Sequence, residues 1–173
     1  MSFEIADVIT PGHEQAFKIG ERSTGASLRD LPTVHLALLE EPVTAAVATI
    51  NADGTAQLTP NWVNYDDTYL YLNSVRGRLK DRNYRARPDV TVMLMNPKNP
   101  YHWITVYGRI EQIIEEDDPA QGHLATENID ALGQSYLGVS PYPLRDPQGE
   151  VRVLYKVRPT RIITFGPVGG EEA

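Results

Sequence analysis

The side chains best suited to bind a ligand are the basic ones concentrated in residues 73–87, NSVRGRLKDRNYRAR. The chain as a whole is acidic, with 16 Lys and Arg residues against 23 Asp and Glu residues. Six of the 16 basic residues nevertheless fall within 12 consecutive positions, with Asp81 the one acid among them. These six are Arg76, Arg78, Lys80, Arg82, Arg85 and Arg87. On a protein with a negative net charge, such a cluster creates a positive potential only in its own vicinity. It therefore indicates a small anionic ligand.

The local sequence around this cluster indicates a phosphate-binding site. Gly77 lets the backbone turn sharply, and a short helix is predicted from Leu79 until Pro88 stops it. The free N–H groups at a helix start, the Ser74 hydroxyl and the cationic side chains are groups that bind phosphate. A solvated basic helix on the surface is the alternative interpretation of the same residues. The polar residues on the neighbouring strands favour the phosphate site.

Those polar side chains lie on the two predicted strands that precede the cluster. Gln57, Thr59 and Asn61 alternate along one strand, and Asn73 ends the next. A phosphate-bearing cofactor could therefore lie with its ring against these strands and carry out the chemistry itself. The protein would then supply position and hydrogen bonds, and no acid or base of the protein would need to stand out.

Other kinds of catalytic or ligand-binding site have little support in this sequence. No Ser lies in a Gly-x-Ser-x-Gly motif, and the four His residues, at positions 13, 35, 102 and 123, are scattered. The chain has no Cys, so disulfides, thiolate metal sites and a Cys nucleophile are excluded. The Walker loop and the Gly-x-Gly-x-x-Gly dinucleotide motif are absent. No metal site is predicted.

Alternating segments rich in β-branched residues predict a mainly β fold with six strands. The pair Asp53 and Gly54 supplies the positive φ of a hairpin turn between the first two strands. Pro60 places the second strand at a sheet edge or a bulge, because Pro cannot donate a backbone hydrogen bond. So many antiparallel strands favour a barrel, since closure removes exposed edges. The predicted strands are residues 43–50, 55–63, 68–73, 89–95, 101–114 and 151–165.

Helices are predicted outside these strands. Thr33 is a candidate N-cap for a helix that Pro42 ends, and residues 13–21 are a candidate short helix. An acidic segment with Pro119 predicts a later helix, because acids and Pro suit the first turn. That helix is predicted to stop at Gly133.

The length and composition fit one domain with a core of ordinary size. The chain has 173 residues, of which 41% are hydrophobic and 23% charged, as in a typical globular domain. Within this single domain we predict an N-terminal extension (residues 1–31), a barrel core (33–165) and a flexible tail (166–173). Within the core, the Pro-rich segment 138–149 is too long for a simple connector, so we expect it to cover a pocket or reach a partner subunit.

The composition also predicts where the protein acts. The N-terminus carries acids where a signal peptide would carry positive charge, and no apolar run reaches the length of a membrane span. We therefore expect a cytoplasmic protein without membrane association. A net charge of −7 argues against nucleic-acid binding, because phosphates would be repelled outside the basic cluster.

Two motifs carry a resemblance to a known family. They are D-G-x-x-Q-x-x-P-x-W in residues 53–62 and N-S-x-R-G-R-x-K-x-x-N in residues 73–83. In this order they resemble the split β-barrel flavin-binding superfamily of pyridoxamine 5′-phosphate oxidases, and most of all its F420-dependent reductases, which use a deazaflavin. The resemblance covers residues 33–115 strongly and 152–165 loosely. It implies a six-stranded antiparallel split β-barrel, FMN-binding-like, with peripheral helices, and a homodimer with cofactor sites at its interface.

The resemblance also assigns expected roles to individual residues. Residues of the basic crossover would hold the cofactor phosphate, namely Asn73, Ser74, Arg78 and Lys80, with Asn83 as support. Residues of the preceding strand would line the ring edge, namely Thr59, Pro60 and Asn61. F420 continues past its phosphate into a lactyl-oligoglutamate tail, whose carboxylates the extra cations could meet: Arg76, Arg82, Arg85 and Arg87. The predicted cofactor-binding set is Gln57, Thr59, Pro60, Asn61, Asn73, Ser74, Arg76, Arg78, Lys80 and Asn83.

The activity that the resemblance implies is that of an F420H2-dependent oxidoreductase, transferring hydride from the reduced deazaflavin to an unsaturated planar organic substrate. An FMN-binding oxidoreductase or flavin carrier of the same fold is the alternative. A non-catalytic module that binds a cofactor or a tetrapyrrole is the second alternative. Oxidation of vitamin B6 compounds is disfavoured, because residues 151–166 lack the Trp-containing ending of the oxidases. Candidates for the substrate wall are Tyr65, Tyr101, His102 and Trp103.

Overall fold

The chain folds mainly into β-strands, as the alternation of its sequence predicts. The computed structural model describes residues 2–9, 18–146 and 148–166. In this part of the chain the strands are β1 (Phe3–Ile9), β2 (Lys18–Gly25), β3 (Ala45–Ile50), β4 (Ala56–Asn61), β5 (Val63–Tyr65), β6 (Leu70–Val75), β7 (Asp89–Met95), β8 (Trp103–Glu115) and β9 (Arg152–Phe165). The helices are α1 (Thr33–Glu40), α2 (Leu79–Ala86) and α3 (His123–Leu137), with a 3-10 turn at Leu28–Asp30.

Strand β9 is the strand on which the sheet is organised. One of its edges pairs with β8 over almost the whole length of both strands. Its other edge is shared, because β6 pairs antiparallel with residues 152–157 and β1 pairs parallel with residues 161–165. The remaining order runs from β8 through β7 and β3 to β4, while β2 pairs with β1. The sheet therefore splits at β9 into a barrel part and an N-terminal hairpin.

The prediction of six strands is wrong in number, for two local reasons. The predicted strand 55–63 is two strands, β4 and β5, because the ladder breaks at Trp62. Among the described strands β4 pairs only with β3 and β5 only with β6, so the hydrogen-bonded ring is not closed and the chain itself bridges the gap at Trp62. The edge position predicted from Pro60 is confirmed by the position of β4 at the end of the pairing order.

The second reason lies in the N-terminal region, where no strand was predicted. There β1 and β2 form an antiparallel hairpin that β9 joins to the sheet. Residues 18–21 belong to β2, so the candidate helix over 13–21 is wrong for that part, and its remainder lies outside the described residues. All but Gly166 of the predicted flexible tail also lies outside them.

Two helix boundaries differ from their prediction. Thr33 is the first residue of α1, and Pro32 occupies the N-cap position instead. Helix α3 starts at His123 and continues through Gly133 to Leu137, and its C-cap is Gly138, whose φ is +70°. Gly133 is needed for packing rather than for termination, since a Cβ there would lie 2.9 Å from the carbonyl oxygen of Val139. No helix in the described ranges is long and apolar enough to cross a membrane.

Helix α2, which carries Lys80, Arg82 and Arg85 of the basic cluster, is fixed to the barrel end by its buried face. The Tyr84 ring lies 4.6 Å from the Tyr155 ring of β9, measured between centroids. The Asn83 amide donates to Thr49 Oγ1 and to Gln57 Oε1 on strands β3 and β4. The predicted start at Leu79 is confirmed. These contacts hold the start of α2 beside the ends of β4, β6 and β9.

Candidate anion-binding site

A cavity of about 240 Å³ opens where the end of β4 and the end of β6 meet the start of α2. Helix α3 and the segment that follows it close the opposite side. Its lining consists of Thr44, Pro60, Asn61, Trp62, Asn73, Ser74, Arg78, Lys80, Ile129, Leu132, Tyr142 and Arg152. Six members of the predicted cofactor-binding set are therefore brought together here: Pro60, Asn61, Asn73, Ser74, Arg78 and Lys80.

Two of the cations of the cavity come from the basic cluster. The Lys80 ammonium donates to Asn61 Oδ1 at 2.5 Å, which fixes it against the end of β4. Burial lowers the pKa of Lys80, and the nearby Arg78 charge lowers this pKa further. Arg78 is half exposed and donates to Glu150 Oε1 at 3.1 Å. An anion in the cavity would relieve the repulsion between these two cations, so the site favours negative ligands.

A third cation, Arg152 at the start of β9, was not predicted from the sequence. Its side chain is almost fully buried, with the residue 5% exposed. One terminal nitrogen donates to Glu150 Oε2 at 3.2 Å, and the guanidinium lies 5.2 Å from the centre of the Tyr142 ring. Burial lowers the pKa of Arg152, with Glu150 and Tyr142 acting against it. Because it lies 65 positions beyond the basic cluster, no local pattern could reveal it.

The neutral polar groups of the cavity come from β6. The Asn73 amide donates to the Ala125 carbonyl at 2.9 Å and to Asn128 Oδ1 at 3.2 Å, which ties β6 to α3. Its own Oδ1 and the neighbouring Ser74 hydroxyl are buried, and neither has a hydrogen-bond partner within the described ranges. Buried polar atoms are almost always paired in proteins, so these two atoms have hydrogen-bonding capacity that the described residues do not use.

The opposite wall of the cavity is aromatic and aliphatic. Trp62 stacks on Tyr136 of α3, with the ring centroids 5.0 Å apart, and meets Tyr142 edge-on at 5.8 Å. Ile129 and Leu132 complete this wall from α3. Tyr142 belongs to the Pro-rich segment that was expected to cover a pocket, and its position in the cavity wall agrees with that expectation.

The other four members of the predicted set lie outside this cavity. Gln57 and Asn83 bond to each other and to Thr49, so they join α2 to the sheet. Thr59 lines a neighbouring hollow along β3 and β4. Arg76 forms ion pairs with Glu115 and Asp117.

The remaining cations of the basic cluster also have protein partners. Arg82 donates to the Gly77 carbonyl, Arg85 bonds Asp81 and Glu115, and Arg87 donates to the Ile50 carbonyl. None of these three lines the cavity. The same holds for the residues suggested as substrate wall: Tyr65, Tyr101, His102 and Trp103. Proximity in the sequence therefore did not identify which cations face the cavity.

The split barrel has the flavin-binding oxidoreductase fold, as comparison with known proteins shows. The sequence profile of the family described as pyridoxamine 5′-phosphate oxidase matches residues 31–165. The chain therefore belongs to the pyridoxamine 5′-phosphate oxidase family.

Solved structures of other proteins share the fold. The structure of an F420 reductase is 32% identical to this chain with a TM-score of 0.63, and the likeness covers 76% of this chain and 98% of that one. General stress protein 26 of Bacillus anthracis is 20% identical, with a TM-score of 0.54 and coverages of 78% and 93%. A conserved hypothetical protein of Mycobacterium tuberculosis is also 20% identical, with a TM-score of 0.53 and coverages of 79% and 91%. No curated protein matches the chain.

Proposed function

We propose that the protein is an oxidoreductase that binds F420 and transfers hydride from its reduced form to an unsaturated, planar organic substrate. The observation that carries this proposal is the cavity that Lys80, Arg78 and Arg152 line together with Ser74, whose hydroxyl has no hydrogen-bond partner among the described residues. The phosphodiester and carboxylates of F420 are anions that such a set of donors suits. The similarity to an F420 reductase at 32% identity supports this cofactor.

The cationic end of the cavity would hold the cofactor. Lys80 and the Ser74 hydroxyl would donate to the phosphate, and Arg78 would add a second charge beside it. When bound, the reduced deazaflavin supplies the hydride, so the protein needs no nucleophile of its own. Asn61 keeps the Lys80 ammonium in place before the ligand arrives, which reduces the cost of ordering that side chain on binding.

The apolar wall would fix the orientation of the reacting groups. Trp62 and Tyr142 are held by ring contacts with each other, and Trp62 also stacks on Tyr136. A rigid wall of this kind excludes water and limits the positions that a planar ring can take. Hydride transfer depends on such positioning, so the chain would contribute to catalysis mainly by geometry.

The proposal includes a second copy of the chain. The cavity is smaller than the usual ligand pocket of about 300–1,000 Å³, and the neighbouring hollow along β3 and β4 shares Thr44 and Pro60 with it. Leu58 in that hollow is 68% exposed, and β4 is an edge strand. A partner subunit covering this face would complete the site.

The proposed dimer can be tested by sedimentation equilibrium, which should give twice the chain mass of 19.3 kDa. The mass of a single chain at micromolar concentration would contradict the dimer.

Trp fluorescence provides a direct test of cofactor binding. Trp62 lines the cavity, whereas Trp103 stacks on Phe165 elsewhere in the sheet. We expect F420 to quench the emission of the wild type and of Trp103→Phe, and to quench the emission of Trp62→Phe far less. Quenching carried by Trp103 instead would place the ligand outside the cavity.

The same titration with FMN separates the two cofactors. Tight binding of FMN with no binding of F420 would contradict the proposed function. Binding of F420 without hydride transfer to any of a panel of unsaturated acceptors would indicate a non-catalytic carrier of the same fold.

A further inference from the structure

We infer that Arg152 forms, together with Arg78, a subsite for a second anionic group of the ligand, a carboxylate separate from the phosphate at Lys80. This inference rests on the proposed function, and it assigns the tail carboxylates of F420 to Arg78 and Arg152 instead of to Arg76, Arg82, Arg85 and Arg87. It also gives a binding role to a residue at the start of β9.

The burial of Arg152 is the first observation that supports this subsite. A buried guanidinium is costly unless its five N–H donors are paired. One terminal nitrogen of Arg152 donates to Glu150, but its Nε has no hydrogen-bond partner in the part of the chain that the structure describes. Nε itself has almost no exposed surface, but the side chain lines the cavity, so a ligand there could accept from the terminal nitrogens of the guanidinium.

The arrangement of the cations is the second observation. Glu150 accepts from Arg78 through one carboxylate oxygen and from Arg152 through the other, which holds the two guanidinium groups side by side. Lys80 is fixed separately, against Asn61 of β4. The charges of Arg78 and Lys80 affect each other, as do those of Arg78 and Arg152. Arg78 and Arg152 therefore form a pair linked by Glu150, and Lys80 lies in the same cavity on a different partner.

The charges of these three cations suit a ligand with two anionic groups. Glu150 neutralises only one of the three cations, so a phosphodiester at Lys80 and Ser74 leaves one positive charge of the Arg78 and Arg152 pair uncompensated. A planar guanidinium matches a carboxylate through two parallel hydrogen bonds. A phosphodiester followed by a carboxylate is the kind of ligand that would bind both to Lys80 and to this pair.

The test compares two deazaflavins that differ only beyond the phosphate. One is F420 with its lactyl-glutamyl tail, and the other is the same deazaflavin ending in a simple 5′-phosphate. Binding is measured by quenching of Trp62 emission in the wild type and in Arg152→Met. We expect the variant to bind F420 about 10- to 30-fold more weakly, as for the loss of one charge-assisted hydrogen bond. We expect the affinity of this variant for the tail-less phosphate to change by less than about threefold, because Arg152 would not contact that phosphate and a distant charge contributes little.

Equal losses for the two ligands, or no loss for either, would overturn the subsite while leaving the proposed function intact. A wild type that binds neither deazaflavin would instead refute the proposed function, and the subsite with it. Arg109→Met is the matched control, because it removes one exposed charge paired with Asp89 on the outside of the sheet. It should change neither affinity.

Arg152→Lys provides a second test of the subsite if Arg152→Met does not fold. This variant keeps the positive charge but loses the planar guanidinium. It should still bind F420 more weakly than the wild type while binding the tail-less phosphate normally. Wild-type affinity for both ligands would contradict the subsite.

Discussion

Replacing Lys80 with Met should weaken F420 binding about a hundredfold, because removing one partner of a buried charge pair costs about 2–5 kcal/mol. Lys80 is the cation of the basic cluster that bonds to Asn61 at the wall of the cavity. Its loss would leave a phosphate there without its main donor. Isothermal titration at moderate ionic strength measures this change.

Arg76→Met is the matched control for Lys80→Met. Arg76 lies four positions earlier in the same cluster, but its side chain pairs with Glu115 and Asp117 away from the cavity. Its replacement should change the affinity by less than about threefold, since an exposed ion pair contributes little. Comparable losses in both variants would mean that the ligand follows the basic cluster as a whole, and that the cavity is not its site.

Replacing Asp81 with Ala should lower the free energy of unfolding by about 3 kcal/mol, as for a broken buried charged network. The residue is 2% exposed and accepts hydrogen bonds from the Gly77 N–H, the Tyr155 hydroxyl and Arg85 Nε, all at 2.7–2.8 Å. The first of these bonds holds the turn before α2, and the second joins α2 to β9. Urea denaturation at pH 7 measures the change, with Asp117→Ala as an exposed control that should cost less than about 1 kcal/mol.

The contribution of Asp81 should also depend on pH. Burial favours the neutral carboxyl and would raise its pKa, but the hydrogen bonds from Tyr155, Gly77 and Arg85 outweigh burial and lower the pKa below 3.8. The carboxylate therefore stabilises the fold above pH 4, and this stabilisation is lost as the pH falls through the lower pKa of the folded state. The difference between wild type and Asp81→Ala should shrink at pH 3. A constant difference would mean that the charge does not matter.

The basic cluster shows how far the sequence alone could lead. Its turn at Gly77, its helix from Leu79 and its place between two strands follow from local residue types, and all three are present in the structure. The direction of each side chain is not local information. Lys80 faces the cavity and Arg85 faces Glu115 because the helix is fixed by Asp81 and Tyr84 against a strand some 70 positions later.

Trp62, which directly follows Asn61, was missed although it is local, but two other missed parts of the site come from distant segments. Arg152 begins β9, and Tyr142 lies in the segment after α3. Only the tertiary pairing of β6 with β9 brings Arg152 beside Ser74. The prediction that α3 stops at Gly133 was wrong for a related reason. Glycine is common at helix ends, whereas Gly133 provides space for the backbone of Val139.

The position of β9 has a consequence for synthesis of the protein. This strand is the common partner of β1, β6 and β8, which lie far apart in the chain. A nascent chain still lacking residues 152–165 has no partner for those three strand edges while it is on the ribosome. Strands β1, β6 and β8 can therefore join one sheet only after β9 has been synthesised, and their open edges are exposed to chaperones until then.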